Sequence, residues 1–172
     1  MAQKIKAYTL RARFRNPVPD IDLLATDSEI LGIFFNSQDM NQYVSKHSIH
    51  KLYNEKNILL DRLIYELFEY FQGRLKTFSL PFILSGTPFR NSVYKTLKNN
   101  VNYGETISYK DLATLAGYAG AYRAVGTAMK MNHLPFLIPC HRVVHADGSP
   151  GQFAGGANLK KHLLNLELSY FE

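Results

Sequence analysis

The sequence predicts an α+β protein: a small N-terminal sheet-plus-helix domain, then a mostly helical, winged-helix-like C-terminal domain containing a helix-turn-helix. Three observations predict it. Short β-patterned runs separated by turn residues fill the first thirty-five positions. Apolar residues then recur at helical spacing over residues 57–71. Beyond Thr87, short amphipathic segments follow one another with glycine-containing breaks.

Ile5, Ala7, Thr9 and residues 12–14 suggest a first strand, residues 21–24 a second and residues 30–35 a third. Asn16-Pro17 and Asp27-Ser28 supply the turns. Residues 36–54 are polar and aperiodic and receive no assignment. Ile58, Leu59, Leu63, Leu67, Phe68 and Phe71 mark an amphipathic helix that covers the sheet and stops at Gly73. Residues 78–85, with Pro81 and Gly86, read as a linker, so domains are expected at 1–80 and 87–172.

In the second half, Thr87 is an N-cap with Pro88 at the first helical position, and Val93, Tyr94 and Leu97 form the apolar face. Ser108-Tyr109-Lys110-Asp111 is a Ser-x-x-Asp variant of the capping box, opening a helix through Leu112, Leu115 and Ala116. Residues 117–120 make a turn. A helix over residues 121–131 follows, rich in Ala and Gly, and the two short helices read as a helix-turn-helix. Asn158 is expected to cap a last helix whose Leu159, Leu163, Leu164 and Leu166 pack inward and which carries Glu167.

Pro139-Cys140-His141-Arg142-Val143-Val144 holds the single cysteine of the chain, with a histidine beside it. A lone Cys cannot form an intramolecular disulfide or share a zinc site with another. A buried structural thiol or a nucleophile remains. Pro139 ends the apolar run of Leu137-Ile138 at the thiol. His141 and Arg142 are cations placed where they would favour thiolate over thiol, which points to a reactive Cys140.

Twenty basic against fourteen acidic side chains give a formal charge of +6, which favours a polyanionic partner. The start, Met1-Ala2-Gln3-Lys4-Ile5-Lys6, lacks a signal peptide's apolar run, and no segment approaches membrane-span length. A thiol nucleophile must stay unoxidised, so a reducing compartment is expected: cytoplasm, or nucleus in a eukaryote.

The Pro-Cys-His-Arg-Val signature resembles that of the O6-alkylguanine-DNA alkyltransferases. Thr87-Pro88-Phe89-Arg90, Tyr103-Gly104-Glu105-Thr106-Ile107-Ser108-Tyr109, Arg123-Ala124-Val125-Gly126, Met129, Asn132 and Gly155-Gly156 fall in that family's order and spacing. The likeness is close over about residues 70–168 and weak before them. It implies a suicide repair protein that flips O6-alkylguanine from duplex DNA and moves the alkyl group irreversibly to Cys140. Cys140 is then the nucleophile, His141 takes its proton through a water, and Glu167 orients and stabilises the imidazolium. Tyr109 donates to the departing purine, and Asn132 organises the backbone near the thiol.

The same resemblance makes Arg123 the finger that fills the space a flipped base leaves. Ala124, Lys110, Arg90 and Lys130 join it in binding DNA, and Met129, Phe153, Ala154 and Gly155 form the base pocket. A Gly- and Ala-rich helix suits close approach to the minor groove, where inserted side chains commonly bend the duplex. Flipping costs least for damaged or badly paired bases, so selectivity needs little sequence readout.

The chain departs from some family members, which have Tyr and Ser where it has Phe153 and Ala154. Phe153 can stack on a base but cannot hydrogen-bond through a hydroxyl, so recognition of O6 leans on backbone N–H groups. Some members bind zinc through N-terminal cysteines that this chain lacks. His47, His50, His133, His145 and His162 show no ligand spacing, so neither metal nor cofactor is expected. The expected partner is double-stranded DNA carrying O6-alkylguanine, with no membrane association and a monomeric state. A non-catalytic alkyltransferase-like lesion binder is the alternative, but such proteins replace the cysteine. A cysteine hydrolase lacks an acyl-substrate pocket.

Overall fold

The computed structural model describes residues 5–171; residues 1–4, on which the expected absence of a leader partly rests, lie outside them. It divides into two compact units, residues 1–83 and 84–172.

The first unit is built on a four-stranded sheet in the order β3-β2-β1-β4. Strands β1 (Lys6–Ala12), β2 (Ile21–Ala25) and β3 (Ile30–Phe34) form an antiparallel meander, as the turn signals imply. Every residue of β2 and β3 is buried, which is why they read as continuous apolar runs. The unassigned stretch holds helix α1 (Ser37–Lys46) and strand β4 (Lys51–Tyr53), the latter parallel to β1. Only Met40 and Tyr43 of α1 are buried, so its apolar stripe is too thin to show as a period. Asn36 caps it by accepting from the Asp39 N–H.

Helix α2 (Ile58–Phe71) begins where the spacing puts it, with Asn57 accepting from the Leu60 N–H. Residues 78–83 are not a free linker. Phe78 and Leu80 are buried, and Ile30 exchanges backbone hydrogen bonds with Pro81 and Ile83, so this segment runs along β3.

The second unit contains α3 (Pro88–Asn100), β5 (Ile107–Ser108), α4 (Tyr109–Leu115), α5 (Tyr122–Lys130), a 3₁₀ turn at Cys140–Arg142, β6 (Val143–Val144) and α6 (Ala157–Ser169). Helix α3 buries Val93, Tyr94 and Leu97, the three apolar positions its spacing singled out. Ser108 accepts from the Asp111 N–H at 3.0 Å and donates its hydroxyl to the Asp111 carboxylate at 2.6 Å, which pins the start of α4. Helix α4 buries Leu112 and Ala113, while Leu115 is exposed.

Two corrections fall on α6. Gly156 occupies its N-cap and Asn158 lies inside the first turn, because the helix starts earlier than the cap signal suggests. Its inward face carries Leu159, Lys160, Leu163 and Glu167, with Leu164 and Leu166 only half-buried. Two charged residues two turns apart therefore point into the unit.

Candidate active site

Two short elements bring the site together. Strands β5 and β6 pair in parallel, Ile107 with Val143 and Ser108 with Val144, which places Tyr109 and the Cys140 turn on one side of the unit. Helix α6 closes over the turn and delivers Lys160 and Glu167 to it.

Cys140 opens the 3₁₀ turn and is buried. Asn132 sits against it: its Nδ2 donates to Sγ at 3.1 Å and to the Ile138 carbonyl at 2.9 Å, while its Oδ1 accepts from the Leu134 N–H at 3.0 Å. One side chain thus ties the loop before the thiol to the thiol itself. Burial pushes the Cys140 thiol up to about 11; Asn132, the Lys160 ammonium and the Cys140 and His141 backbone N–H groups pull the other way. The resting group is a thiol held among groups that would stabilise a thiolate.

His141 and Glu167 are both fully buried, with Nε2 and Oε1 2.8 Å apart. Burial lowers the imidazole's pKa against the raising effect of Glu167, so His141 is neutral at rest. Burial alone would raise the Glu167 pKa, but hydrogen bonds and charge from His141 and Arg142 hold it well below the ordinary carboxylate range. An ionised carboxylate only accepts, so Nε2 carries the imidazole proton and Nδ1 holds the lone pair that can take another.

Arg142 reaches the same carboxylate through Nε at 2.9 Å and Nη2 at 3.0 Å, and gives Nη1 to the Val101 carbonyl at 2.8 Å. The Gly104 N–H adds a fourth donor to Glu167 at 3.1 Å. Gly104 needs a φ of +81° for this, and an added Cβ would collide with the Phe171 ring, so only glycine fits.

The expectation that His141 and Arg142 favour a thiolate by their charge is corrected here. His141 is neutral and Arg142 is committed to Glu167 and Val101. The cation acting on the thiol is Lys160, which sequence reasoning missed. It is fully buried, donates from Nζ to the Val143 carbonyl at 2.6 Å, and lies 5.9 Å from the Tyr109 ring centroid. Burial pushes it down to about 8, against a raising influence from Cys140, so it keeps its proton near neutrality. A lysine in a Leu-rich helix normally lies on the solvated face; its place two turns from Glu167 was the available signal.

Replacing Lys160 with Met keeps a long apolar stem and deletes the charge. The thiol should then titrate at higher pH. Alkylation of Cys140 by a small electrophile near neutral pH should slow about tenfold for every pH unit the titration curve moves. An unchanged rate-against-pH curve would remove Lys160 from the site's electrostatics.

A cavity of about 610 Å³ is lined by Tyr109, Lys110, Tyr122, Arg123, Lys130 and His145 among others; its link to the thiol is Tyr109, whose phenol feels Cys140. Of the residues expected to bind DNA, Arg123, Ala124, Lys110 and Lys130 are exposed, while Arg90 is half-buried and directs Nη1 to the Met131 sulfur at 3.5 Å. Burial first, and Cys140 second, raise the pKa of the half-buried Tyr109, keeping its phenol a proton donor. Of the expected base-pocket residues, Met129 is buried, Phe153 stands edge-on to His141 at 6.3 Å between ring centroids, and Ala154 and Gly155 follow in the adjoining loop. Among the described residues no group of three or more His, Cys, Asp or Glu could hold a metal ion.

Comparison with known proteins accounts for both units. Residues 13–84 match the ribonuclease-like domain of 6-O-methylguanine DNA methyltransferase, and residues 88–169 match that protein's DNA-binding domain. The constitutive methylated-DNA–protein-cysteine methyltransferase of Bacillus subtilis is 35% identical over 158 residues, covering 91% of this chain and 94% of its own. The chain belongs to the 6-O-methylguanine DNA methyltransferase family.

A methylated-DNA–protein-cysteine methyltransferase of Methanosarcina barkeri shares 44% identity over 102 residues, 59% of this chain and 64% of the relative. Mycobacterium tuberculosis OGT, solved in complex with DNA, superposes with a TM-score of 0.79 at 31% identity, covering 96% of this chain and 94% of that one. The O6-methylguanine-DNA methyltransferase of Pyrococcus kodakaraensis superposes at 0.69 and 26% identity, covering 94% and 98%. Among the described residues no helix is long and apolar enough to cross a membrane.

Proposed function

We propose that this family member is a single-turnover alkyltransferase that extrudes O6-alkylguanine from duplex DNA and moves its alkyl group to Cys140. One observation carries the reading: a buried thiol, braced by Asn132 and Lys160 and followed by a His141–Glu167 pair, acts on Tyr109, which lines a cavity with Lys110, Arg123 and Lys130. The cavity volume lies within the range of small-molecule sites.

In the reaction His141 Nδ1 takes the thiol proton, relayed by a water, and Glu167 stabilises the imidazolium. Sγ attacks the alkyl carbon in line with the breaking C–O6 bond, and the bonding pair leaves with guanine. Tyr109 donates to the purine ring as that charge develops and is reprotonated from solvent. One proton leaves Cys140 and one reaches guanine, so the transfer needs no co-reactant. Backbone N–H groups at Ala154 and Gly155 recognise O6, while Phe153 and Met129 wall the base.

The product is a thioether, which thiol exchange cannot reverse, and the chain holds no second cysteine. Each molecule therefore reacts once. The non-catalytic alkyltransferase-like alternative replaces the cysteine, and Cys140 is present. A reducing compartment, cytoplasmic or nuclear, suits the free thiol.

The test is intact mass after incubation with a duplex containing O6-methylguanine. The protein should gain the mass of one CH₂, located to the Cys140 peptide, with one equivalent of guanine restored in the DNA. Catalytic turnover, or a modification elsewhere, would overturn the reading.

Arg123 is exposed on the cavity rim beside Tyr122, and it is proposed to fill the gap in the base stack. Arg123→Ala should slow repair of duplex DNA by about a hundredfold, the equivalent of about 3 kcal/mol of unstacking. Reaction with free O6-methylguanine needs no flipping and should change little. Equal loss on both substrates would reassign Arg123 to the pocket.

A further inference from the structure

His145 lines the cavity, yet the transfer chemistry gives it no task. It follows β6, whose partner strand leads into Tyr109, so the Ser108–Val144 pairing sets the two rings side by side. Their centroids are 5.3 Å apart with the planes tilted by 51°.

The backbone under His145 is fixed. Its N–H donates to the Ser149 carbonyl at 2.8 Å, and its own carbonyl accepts from the Gly148 N–H at 2.9 Å. Asp147 Oδ1 locks the loop by accepting from the Ser149 N–H at 2.9 Å and the Ser149 hydroxyl at 2.6 Å. Such a closed loop holds its side chain at low entropic cost on binding.

Gly151 lies beneath both rings with a φ of +62°. A Cβ there would sit 2.6 Å from the Tyr109 hydroxyl and 3.1 Å from His145 Nε2. The polar ends of the two rings therefore converge on one wall. Along that wall the groups differ in depth: Tyr109 is half-buried and faces Lys160, whereas His145 and Lys110 are exposed. On the alkyl-transfer reading a base directed at the thiol would pass Tyr109, which would leave its sugar and phosphate at the depth of His145 and Lys110. Imidazole N–H and ammonium groups are suited to phosphate oxygens, and such charge-assisted contacts position a nucleotide without reading its base.

Resting on the alkyl-transfer reading above, we propose that His145, with Lys110, binds the sugar–phosphate of the extruded nucleotide and makes this chain favour alkylguanine held in a strand over the free base. The residue is then a specificity determinant on the cavity rim.

Second-order rates with the full chain test it on three substrates bearing the same methyl group: duplex DNA, a single-stranded oligonucleotide, and free O6-methylguanine. His145→Ala should slow both strand substrates about tenfold, as expected for losing one hydrogen bond to a charged group. His145→Gln, which keeps a donor, should recover most of that loss. The free base presents no phosphate, so its rate reports the pocket and thiol alone. Equal slowing of the free base would overturn the proposal and make His145 a brace for Tyr109. Unchanged rates on both strand substrates would overturn it as well. Failure of the wild-type chain with all three substrates would instead sink the transfer reading.

Discussion

Cys140→Ser is expected to bind alkylated duplex DNA nearly as well as the unmodified chain and to transfer nothing measurable. The substitution changes one buried atom, keeps a hydrogen-bonding partner for Asn132 and leaves the exposed Arg123, Lys110 and Lys130 in place. On the proposed reading Lys110 and Lys130 face phosphates and Arg123 the base stack, and phosphate contacts dominate affinity for duplex DNA. An alcohol is a far weaker acid than a thiol, and a buried, neutral imidazole with a lowered pKa cannot ionise it. Binding followed by fluorescence anisotropy and transfer followed by intact mass would separate the two properties. A serine variant that still gained the methyl group would move the nucleophile elsewhere, and one that lost binding would make the thiol part of lesion recognition.

Much of the fold was legible because its signals are local. The runs that became β1, β2 and β3, the helical period over Ile58–Phe71, and the caps at Thr87 and Ser108 each follow from a few neighbouring residues. Helix α1 escaped because two buried residues in ten leave hardly any period. Residues 78–83 resemble a linker in composition, and their role appears only once Ile30 offers them backbone partners.

The site divides in the same way. Cys140 and His141 stood out as a lone cysteine beside a histidine, while Asn132, Tyr109 and Glu167 came from the family resemblance; in the structure Asn132 contacts the thiol, Glu167 pairs with His141 and Tyr109 feels Cys140. What spacing could not give was direction. Arg142 is two residues from Cys140, yet within the 3₁₀ turn its guanidinium points to Glu167 and Val101. Lys160 is twenty positions away in sequence, yet α6 carries it inward to the thiol. Electrostatic partners are set by which helix face packs, and that is a tertiary property.

Glu167 is the residue whose loss should damage both stability and chemistry. It accepts from His141, from two nitrogens of Arg142 and from the Gly104 N–H, all within a buried volume. Glu167→Gln keeps the size but leaves the Arg142 charge uncompensated, at a cost of about 3 kcal/mol or more. The pH dependence carries the sign. A carboxylate held below its ordinary value of 4.5 contributes stability that is present above that pH and lost as pH falls toward the folded value. Burial lowers His141 as well, so the unfolded chain binds its proton first and stability again falls with acidity. The glutamine variant should therefore be less stable near neutrality and show a flatter acid limb below pH 4.5 in urea titrations. Its chemistry should suffer through the imidazole. Glu167 raises the His141 pKa against burial, so removing the charge makes His141 a weaker base. Transfer should slow about a hundredfold, within the usual contribution of general-base catalysis. Cys140 alkylation by a small electrophile should move to higher pH. A variant that lost stability but kept the wild-type alkylation profile would restrict Glu167 to holding Arg142 and the Gly104 turn, with His141 acting alone.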